Sequence, residues 1–163
     1  MNLLSEMTNE EFNLFNPAYC GYLLYSVISE YQNSNKEFPC SLVYLALPMI
    51  MTKYIAGNFP RDTRTTFLSW TNNNQDCIAD FDTRVADYFE VTQSAIDFLI
   101  DFKVIYISES GYISIATSKI TRNPSFFKQS DTISSHLSRA KFLGKWLVNY
   151  QPATIYSVLG IRP

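Results

Sequence analysis

The chain has 163 residues, 47% of them apolar, and a formal net charge of -2. This length is typical of one domain, and this apolar content is enough for a hydrophobic core, so an intrinsically disordered chain is excluded. No uninterrupted apolar run reaches about eighteen residues, and the acidic start lacks the pattern of a signal peptide, so we expect a cytoplasmic protein with no membrane partner.

Charge is distributed unevenly along the chain. Residues 1–115 carry six basic and fourteen acidic side chains, whereas residues 116–163 carry seven basic side chains and only Asp131 as an acid. A basic segment of this kind is typical of contact with a polyanion or an acidic partner. Neutralisation by the acidic remainder of the same chain explains the pattern equally well, so both interpretations stay open.

The first predicted helix has a clear start signal. Asn16 precedes Pro17, and apolar residues then recur at helical spacing from Tyr19 to Tyr31. Polar residues and Pro39 in the stretch 32–39 predict a loop after this helix.

Three further helices are predicted in the middle of the chain. An almost wholly apolar helix runs from Ser41 to Tyr54, and Pro48 should kink or break it because proline lacks a backbone donor. A short helix follows from Thr63 to Trp70, and another from Gln75 to Tyr88, with Phe89 among the residues that it buries.

A helix followed by a β-hairpin is the most diagnostic local pattern. Thr92 is expected to cap the helix, and two strands follow, Val104 to Ser108 and Tyr112 to Ala116, joined by a turn at residues 109–111. This helix is predicted to carry Ala95, Ile96, Leu99, Ile100 and Phe102. Helix and then hairpin is the order found in the second half of a winged helix.

A final helix is predicted from Thr132 to Tyr150, and Pro152 separates it from an apolar closing turn. The predicted fold is therefore mainly α with one small β-hairpin, a winged-helix-like single domain over residues 1–163. Residues 129–163 form its C-terminal helical segment. Because chain ends are usually polar and frayed, the apolar run from Ala153 to Pro163 is expected to pack on this domain or on a partner.

The sequence contains no recognisable catalytic motif. His136 is the only histidine, and Cys20, Cys40 and Cys77 have neither metal-ligand nor redox spacing. No glycine-rich phosphate loop or nucleophile elbow is present. We therefore expect no catalytic residues, no metal and no cofactor.

DNA binding through the helix before the hairpin is disfavoured by charge. A helix that reads the major groove presents basic or amide side chains, but this one carries Asp97 and Asp101, and the hairpin turn carries Glu109. The alternative is contact with the DNA backbone through a basic patch in the last third of the chain. Its candidate residues are Lys119, Arg122, Lys128, Lys141 and Lys145.

Three arginines lie in apolar surroundings. Arg61 and Arg64 bracket Asp62, an arrangement that fits either a helix start capped by the aspartate or a fork for phosphate or carboxylate. Arg139 falls on the apolar stripe of the final helix, where a cation requires a buried partner or an interface. Arg162, the last charged residue of the sequence, is expected to contact an acidic patch or a partner.

Three segments together resemble a known family of small bacterial proteins. The stretches NPAYCGYLLY from Asn16, FPRDTRTTFLSW from Phe59 and RAKFLGKWLVNYQPATIYSVLGIRP from Arg139 are similar to the middle component of three-component ABC-ATPase systems. The resemblance covers nearly the whole chain, and its closing segment is the most specific part.

The resemblance implies a non-enzymatic, winged-helix-like accessory protein. Its partners would be an ABC ATPase of the chromosome-maintenance or repair type and a third, variable component, in a system directed against phages or other foreign DNA. The resemblance brings no catalytic residues. Combining it with the charged and apolar features above gives these candidate partner-binding residues: Arg61, Arg64, Arg139, Trp146, Tyr156, Leu159, Ile161 and Arg162.

Overall fold

The computed structural model describes residues 15–117 and 119–162, so Pro163 of the closing run lies outside the described residues. The described part is mainly helical, as predicted, with a small antiparallel sheet. Its helices are α1 (Pro17–Gln32), α2 (Val43–Met51), α3 (Lys53–Ala56), α4 (Phe67–Asn73), α5 (Gln75–Ile78), α6 (Phe81–Asp87), α7 (Phe89–Asp101), α8 (Asp131–Leu147) and α9 (Pro152–Leu159). The strands are β1 (Phe38–Pro39), β2 (Ile105–Ile107) and β3 (Tyr112–Ile115), and short 3-10 helices cover Cys40–Leu42 and Ser125–Lys128.

The predicted start of α1 is confirmed. The Asn16 side chain accepts hydrogen bonds from the backbone N–H groups of Ala18 and Tyr19, at 2.8 and 3.0 Å. Pro17 follows at the first helical position, where its missing donor costs nothing.

The break after α2 does not occur at Pro48. The helix continues through this proline to Met51, and the chain is interrupted at Thr52, whose backbone is extended with ψ at 110°. Thr52 is buried and forms a side-chain hydrogen bond with Tyr88. The predicted helix from Ser41 to Tyr54 is therefore divided into a 3-10 turn, α2 and α3.

Two helices in the middle of the chain differ from their predicted bounds. The helix expected at Thr63 begins at Phe67, because the Thr66 hydroxyl accepts from the N–H of Ser69 at 3.1 Å and caps it. The single helix expected over Gln75 to Tyr88 is interrupted between α5 and α6. Phe89 was predicted to be buried, but it is 51% exposed and stacks on Tyr44 with ring centroids 5.3 Å apart.

Two further predictions fail around α7 and the hairpin. Thr92 does not cap α7, because the helix already begins at Phe89; the Thr92 side chain is buried, and its hydroxyl has no hydrogen-bond partner within the described ranges. The hairpin of β2 and β3 is confirmed, but part of the expected loop 32–39 adds a third strand. The order is β1-β3-β2, with Phe38 opposite Ile113, and the winged-helix assignment stays a prediction.

The closing segment is a helix rather than a turn. Pro152 occupies the first position of α9, and Gly160 ends the helix in the left-handed conformation with φ at 69°. The N–H of Ile161 then donates to the Tyr156 carbonyl at 3.1 Å, which completes a glycine-type helix end. The preceding helix, α8, ends at Leu147 instead of Tyr150.

Helix α1 lies at the centre of the structure, between α7 and α8. Gly144 of α8 sits directly against the α1 backbone, and a Cβ atom at this position would lie 2.3 Å from the Val27 carbonyl oxygen. On the other side, Gly21 of α1 faces Leu99 of α7, and a Cβ there would lie 3.3 Å from the leucine side chain. The close approach of α8 therefore requires glycine, because its neighbour is backbone and cannot rotate away.

We predict that Gly144→Ala separates α1 from α8 and destabilises the protein. Overpacking costs about 1–3 kcal/mol or more, which exceeds the gain in helix propensity of about 1 kcal/mol from replacing glycine by alanine. Urea unfolding should show a net loss in the free energy of unfolding. Ser138→Ala, on an exposed part of the same helix, is the matched control and should stay within about 0.5 kcal/mol of the unaltered chain. Equal stability of Gly144→Ala would contradict the packing described here.

Candidate partner-binding surface

Three residues predicted to bind a partner lie in the hydrophobic core. Trp146 is completely buried, and its indole N–H donates to the Thr65 carbonyl at 2.8 Å. Tyr156 and Leu159 are each 7% exposed, and the Tyr156 hydroxyl donates to the Ser41 carbonyl. In this packing they offer almost no side-chain surface to another protein, so their contribution is to the fold.

Trp146 belongs to a cluster of aromatic rings that connects two of the three segments of the family resemblance. Its ring centroid is 4.9 Å from that of Phe67 and 5.5 Å from that of Trp70. Phe59 and Tyr150 also contact this cluster, through Trp146 and Phe67 respectively. The Tyr150 hydroxyl accepts from the N–H of Phe67 at 3.1 Å. The segment from Phe59 and the segment from Arg139 therefore pack on each other.

The remaining residues of the closing run are more accessible. Ile161 is partly buried and packs against the core, and Arg162 is exposed. A shallow pocket lies beside them, and it is lined by Ile78, Ala79, Asp82, Ser157, Val158, Leu159 and Gly160.

Arg61 and Arg64 have different surroundings. The Arg64 guanidinium pairs with the Asp62 carboxylate, with Nη2 at 2.6 Å and Nε at 3.1 Å from Oδ2. Hydrogen bonds from the Arg64 side chain and N–H lower the pKa of Asp62. Asp62 thus binds Arg64 rather than capping α4, and Arg61 is exposed without a polar partner among residues 15–117 and 119–162.

Arg139 is half-buried and contacts the end of α2. Its Nη1 donates to the Ile50 carbonyl at 3.4 Å, and burial lowers the pKa of the guanidinium. This carbonyl lies at a helix end, where such oxygens lack intrahelical partners. The buried partner that the sequence required for Arg139 is therefore a backbone carbonyl.

The basic residues of the last third lie on two neighbouring elements. Lys119, Arg122 and Lys128 are exposed in the segment before α8. Lys141 of α8 donates to the Asn123 side chain, which brings the helix and that segment together. Lys145 lies 3.9 Å from Glu30 of α1, so one cation of the group is partly neutralised by an acid of the same chain.

The single histidine and one of the three cysteines are buried, and a second cysteine is partly buried. His136 is 4% exposed, and its Nδ1 lies 2.7 Å from the Tyr19 hydroxyl, so this ring nitrogen is already engaged in a hydrogen bond. Burial raises the pKa of Cys20 to about 12 and also raises the pKa of Cys40, so neither thiol is ionised near neutral pH. Residues 15–117 and 119–162 contain no group of three or more histidine, cysteine or acidic side chains that could hold a metal ion.

A group of exposed apolar side chains lies where α7 ends and β2 begins. Ile100 is 40% exposed, Phe102 68%, Tyr106 56% and Ile107 46%. These four residues, here called the helix-end patch, are half of the eight large hydrophobic side chains that the described residues expose. Tyr106 and Ile107 are neighbours on β2 and project from opposite faces of the sheet. This stretch is the candidate contact region because large exposed apolar side chains are concentrated in it.

Backbone geometry directs this patch outward. Lys103 has a positive φ of 55°, and the N–H of Val104 donates to the Leu99 carbonyl at 2.8 Å, so the chain turns sharply after α7. Leu99 and Ile105 face the core, whereas Phe102 projects from the turn and packs on Phe98 with ring centroids 4.5 Å apart. The predicted helix included both Ile100 and Phe102; Ile100 lies in α7, whereas Phe102 is the residue that follows its end.

The stretch of chain that carries the helix-end patch is acidic. Asp97, Asp101 and Glu109 are exposed, and Lys103 is the only cation between residues 97 and 109. Sequence reasoning identified these acids and used them to disfavour DNA binding, but it missed the apolar residues between them. The available signal was the dense run of large apolar residues from Phe98 to Ile107, too many for one helix face.

We predict that cutting the chain after Gln151 removes part of the core instead of a separable interface. Helix α9 buries Ile155, Tyr156 and Leu159, and losing this area should lower the midpoint of thermal unfolding by at least about 10 °C. Full-length Arg162→Ala is the control and should unfold within about 2 °C of the unaltered chain. An unchanged midpoint after truncation would show that α9 does not stabilise the domain.

We predict that His136 makes stability depend on pH. Burial, with a contribution from the charges of Arg139 and Lys53, lowers the pKa of His136 to about 4. The unfolded chain, with a histidine pKa of about 6.5, binds more protons between these values, so stability falls as the pH drops below about 6.5. The loss from this residue between pH 7 and pH 5 should be about 2 kcal/mol. Urea unfolding of His136→Gln at both pH values should show a free energy of unfolding that lacks this loss. The same pH dependence in the variant and the unaltered chain would contradict the role given to His136.

None of the helices within the described ranges has the length and apolar character needed to cross a membrane. Comparison with curated proteins and with solved structures gives no match. Comparison with protein families matches residues 4–163 to the family described as ABC-three component (ABC-3C) system Middle Component 3. The match covers almost the entire sequence and includes all three segments on which the resemblance depends. The chain therefore belongs to the Middle Component 3 family of ABC-three component systems.

Proposed function

We propose that this protein is a non-enzymatic adaptor that binds the large ABC ATPase of its system and links it to an effector component. The system is directed against phages or other foreign DNA. Membership of a middle-component family supports the existence of partner components. We also propose that α7 and the hairpin correspond to the helix and wing of a winged helix that is used for protein contact.

The observation that carries this proposal is the helix-end patch. Phe102 and Tyr106 expose more than half of their surface on a short turn and an edge strand, and both belong to elements anchored in the core by Leu99 and Ile105. Exposed aromatic side chains on a rigid support are typical of the residues that dominate protein–protein binding. The candidate partner-binding residues Arg61 and Arg162 are also exposed and stay proposals for contacts outside the patch.

We predict that the protein co-purifies with the ABC ATPase encoded beside it, and that Phe102→Ser weakens this complex at least about tenfold because it removes an interface aromatic. The complex should be measured by co-expression followed by calorimetric titration of the purified components. Leu68→Ser is the matched control, since Leu68 is 55% exposed on α4 and lies outside the patch.

Two results would overturn the proposal. A purified, folded chain that never associates with the co-encoded ATPase is not its adaptor. Equal loss of binding in Phe102→Ser and Leu68→Ser would remove the helix-end patch as the binding surface. The unfolding transition of each variant should be measured beside its binding, so that loss of the fold is not mistaken for loss of contact.

Contact with the DNA backbone is a second candidate function. Its support is the hydrogen bond from Lys141 to Asn123, which joins α8 to the segment carrying Arg122 and Lys128. Binding of this kind would be tolerant of sequence and would decrease steeply with salt. Retention of the pure protein on duplex DNA at low salt, reduced in a Lys141→Gln and Lys145→Gln double variant, would support it; no retention would end it.

A further inference from the structure

We infer that the outer edge of β2, at its Ile107 end, binds an extended segment of the partner ATPase, which carries apolar and basic residues and pairs with this edge of the sheet through its main chain. This inference rests on the proposed function, because it specifies how the helix-end patch is used. It identifies the partner segment by its chemistry: main-chain groups that pair with an edge strand, apolar side chains and positive charge.

The hydrogen bonds of the hairpin determine which backbone groups of β2 are left over. The Ala116 N–H donates to the Val104 carbonyl and the Ser108 N–H donates to the Tyr112 carbonyl, each at 2.8 Å. Bonded and non-bonded pairs alternate along an antiparallel ladder, so Ile105 and Ile107 direct their N–H and C=O groups away from β3. No other strand within the described ranges lies on that side.

Accessibility places the docking point at the Ile107 end of the strand. Ile105 is 3% exposed, so its main chain is covered, whereas Ile107 is 46% exposed. The opposite edge of the sheet is β1, which has only two residues and contains Pro39. Proline cannot donate to a ladder, so β2 is the edge that can accept another strand.

Charge at this edge selects the partner and disfavours a second copy of the same chain. Between residues 97 and 109, which include this edge, Asp97, Asp101 and Glu109 are exposed and Lys103 is the single cation. Pairing of two β2 edges would bring these acids together, whereas a segment with lysine or arginine beside its apolar residues would be attracted. Addition of an extended peptide to the edge of a sheet is an established mode of peptide recognition, in which alternate side chains of the peptide contact the neighbouring surface.

We predict that Ile107→Pro weakens the complex with the co-encoded ATPase at least about tenfold, whereas Ile107→Val stays within about twofold. Proline removes an N–H that the protein's own ladder does not use, so the hairpin bonds through Val104 and Ser108 are retained. Valine keeps the N–H and the branched side chain. Titration calorimetry with the purified ATPase measures both, and hydrogen exchange should show new protection of the Ile107 amide in the complex.

Removal of two carboxylates tests whether the partner segment is basic. The double variant Asp97→Asn and Asp101→Asn should bind more weakly at low salt and show a flatter salt dependence than the unaltered chain. An unchanged salt dependence would overturn the inference that the segment is basic.

The possible failures are distinguishable. Absence of any complex with the unaltered chain overturns the proposed function itself. A complex that is lost in Phe102→Ser but unaffected by Ile107→Pro leaves the helix-end patch in place and overturns strand addition. Self-association of the chain without the ATPase, abolished by Ile107→Pro, would assign the edge to a second copy. It would overturn the inference that the ATPase segment binds there. Equal binding losses in Ile107→Pro and Ile107→Val would also overturn the main-chain pairing.

Discussion

The close approach of α8 to α1 at Gly144 is the constraint on which the rest of the structure depends. With a Cβ position only 2.3 Å from the Val27 carbonyl, the two helix backbones meet with no side chain between them. Helix α1 is covered on its other side by α7, so the spacing of three helices depends on this contact. The helix pair also holds the buried hydrogen bond between Tyr19 and His136. Because α1 is covered in this way, it has little exposed surface to which a partner could bind.

The same arrangement explains why the most specific part of the sequence is not a free docking tail. Trp146 lies two residues after Gly144 in α8 and packs against Phe67 and Trp70. Helix α9 then covers the core through Tyr156. Residues that are distant in the sequence thereby become one aromatic cluster. The residues that carry the family resemblance in these segments therefore stabilise the fold, at least as directly as they could form an interface. Partner contact is left to the surfaces that this packing does not use, and the helix-end patch is the most apolar of those described above.

Much of the fold could be predicted from local patterns, and the candidate site largely could not. Asn16 and Pro17 define the start of α1, and the hairpin of β2 and β3 follows from a turn signal between apolar runs, because these features depend on neighbouring residues. The strand β1 was missed because two residues, one of them a proline, carry no periodic signal. Ile100 and Leu99 are chemically alike and adjacent in α7, and only the packing of the helix face that carries Leu99 makes one buried and the other exposed.

The sequence by itself determined the helical class, the order of the main elements, the acidic character of α7 and the membership of a middle-component family, because composition, periodicity and motif order are properties of the chain alone. The tertiary structure decided which of those residues are available for contact. It placed Trp146, Tyr156 and Leu159 in the core and left Phe102, Tyr106 and Ile107 outside. Exposure depends on which elements pack together and how closely, and contacts such as that of Gly144 with Val27 join residues that are more than a hundred positions apart in the chain.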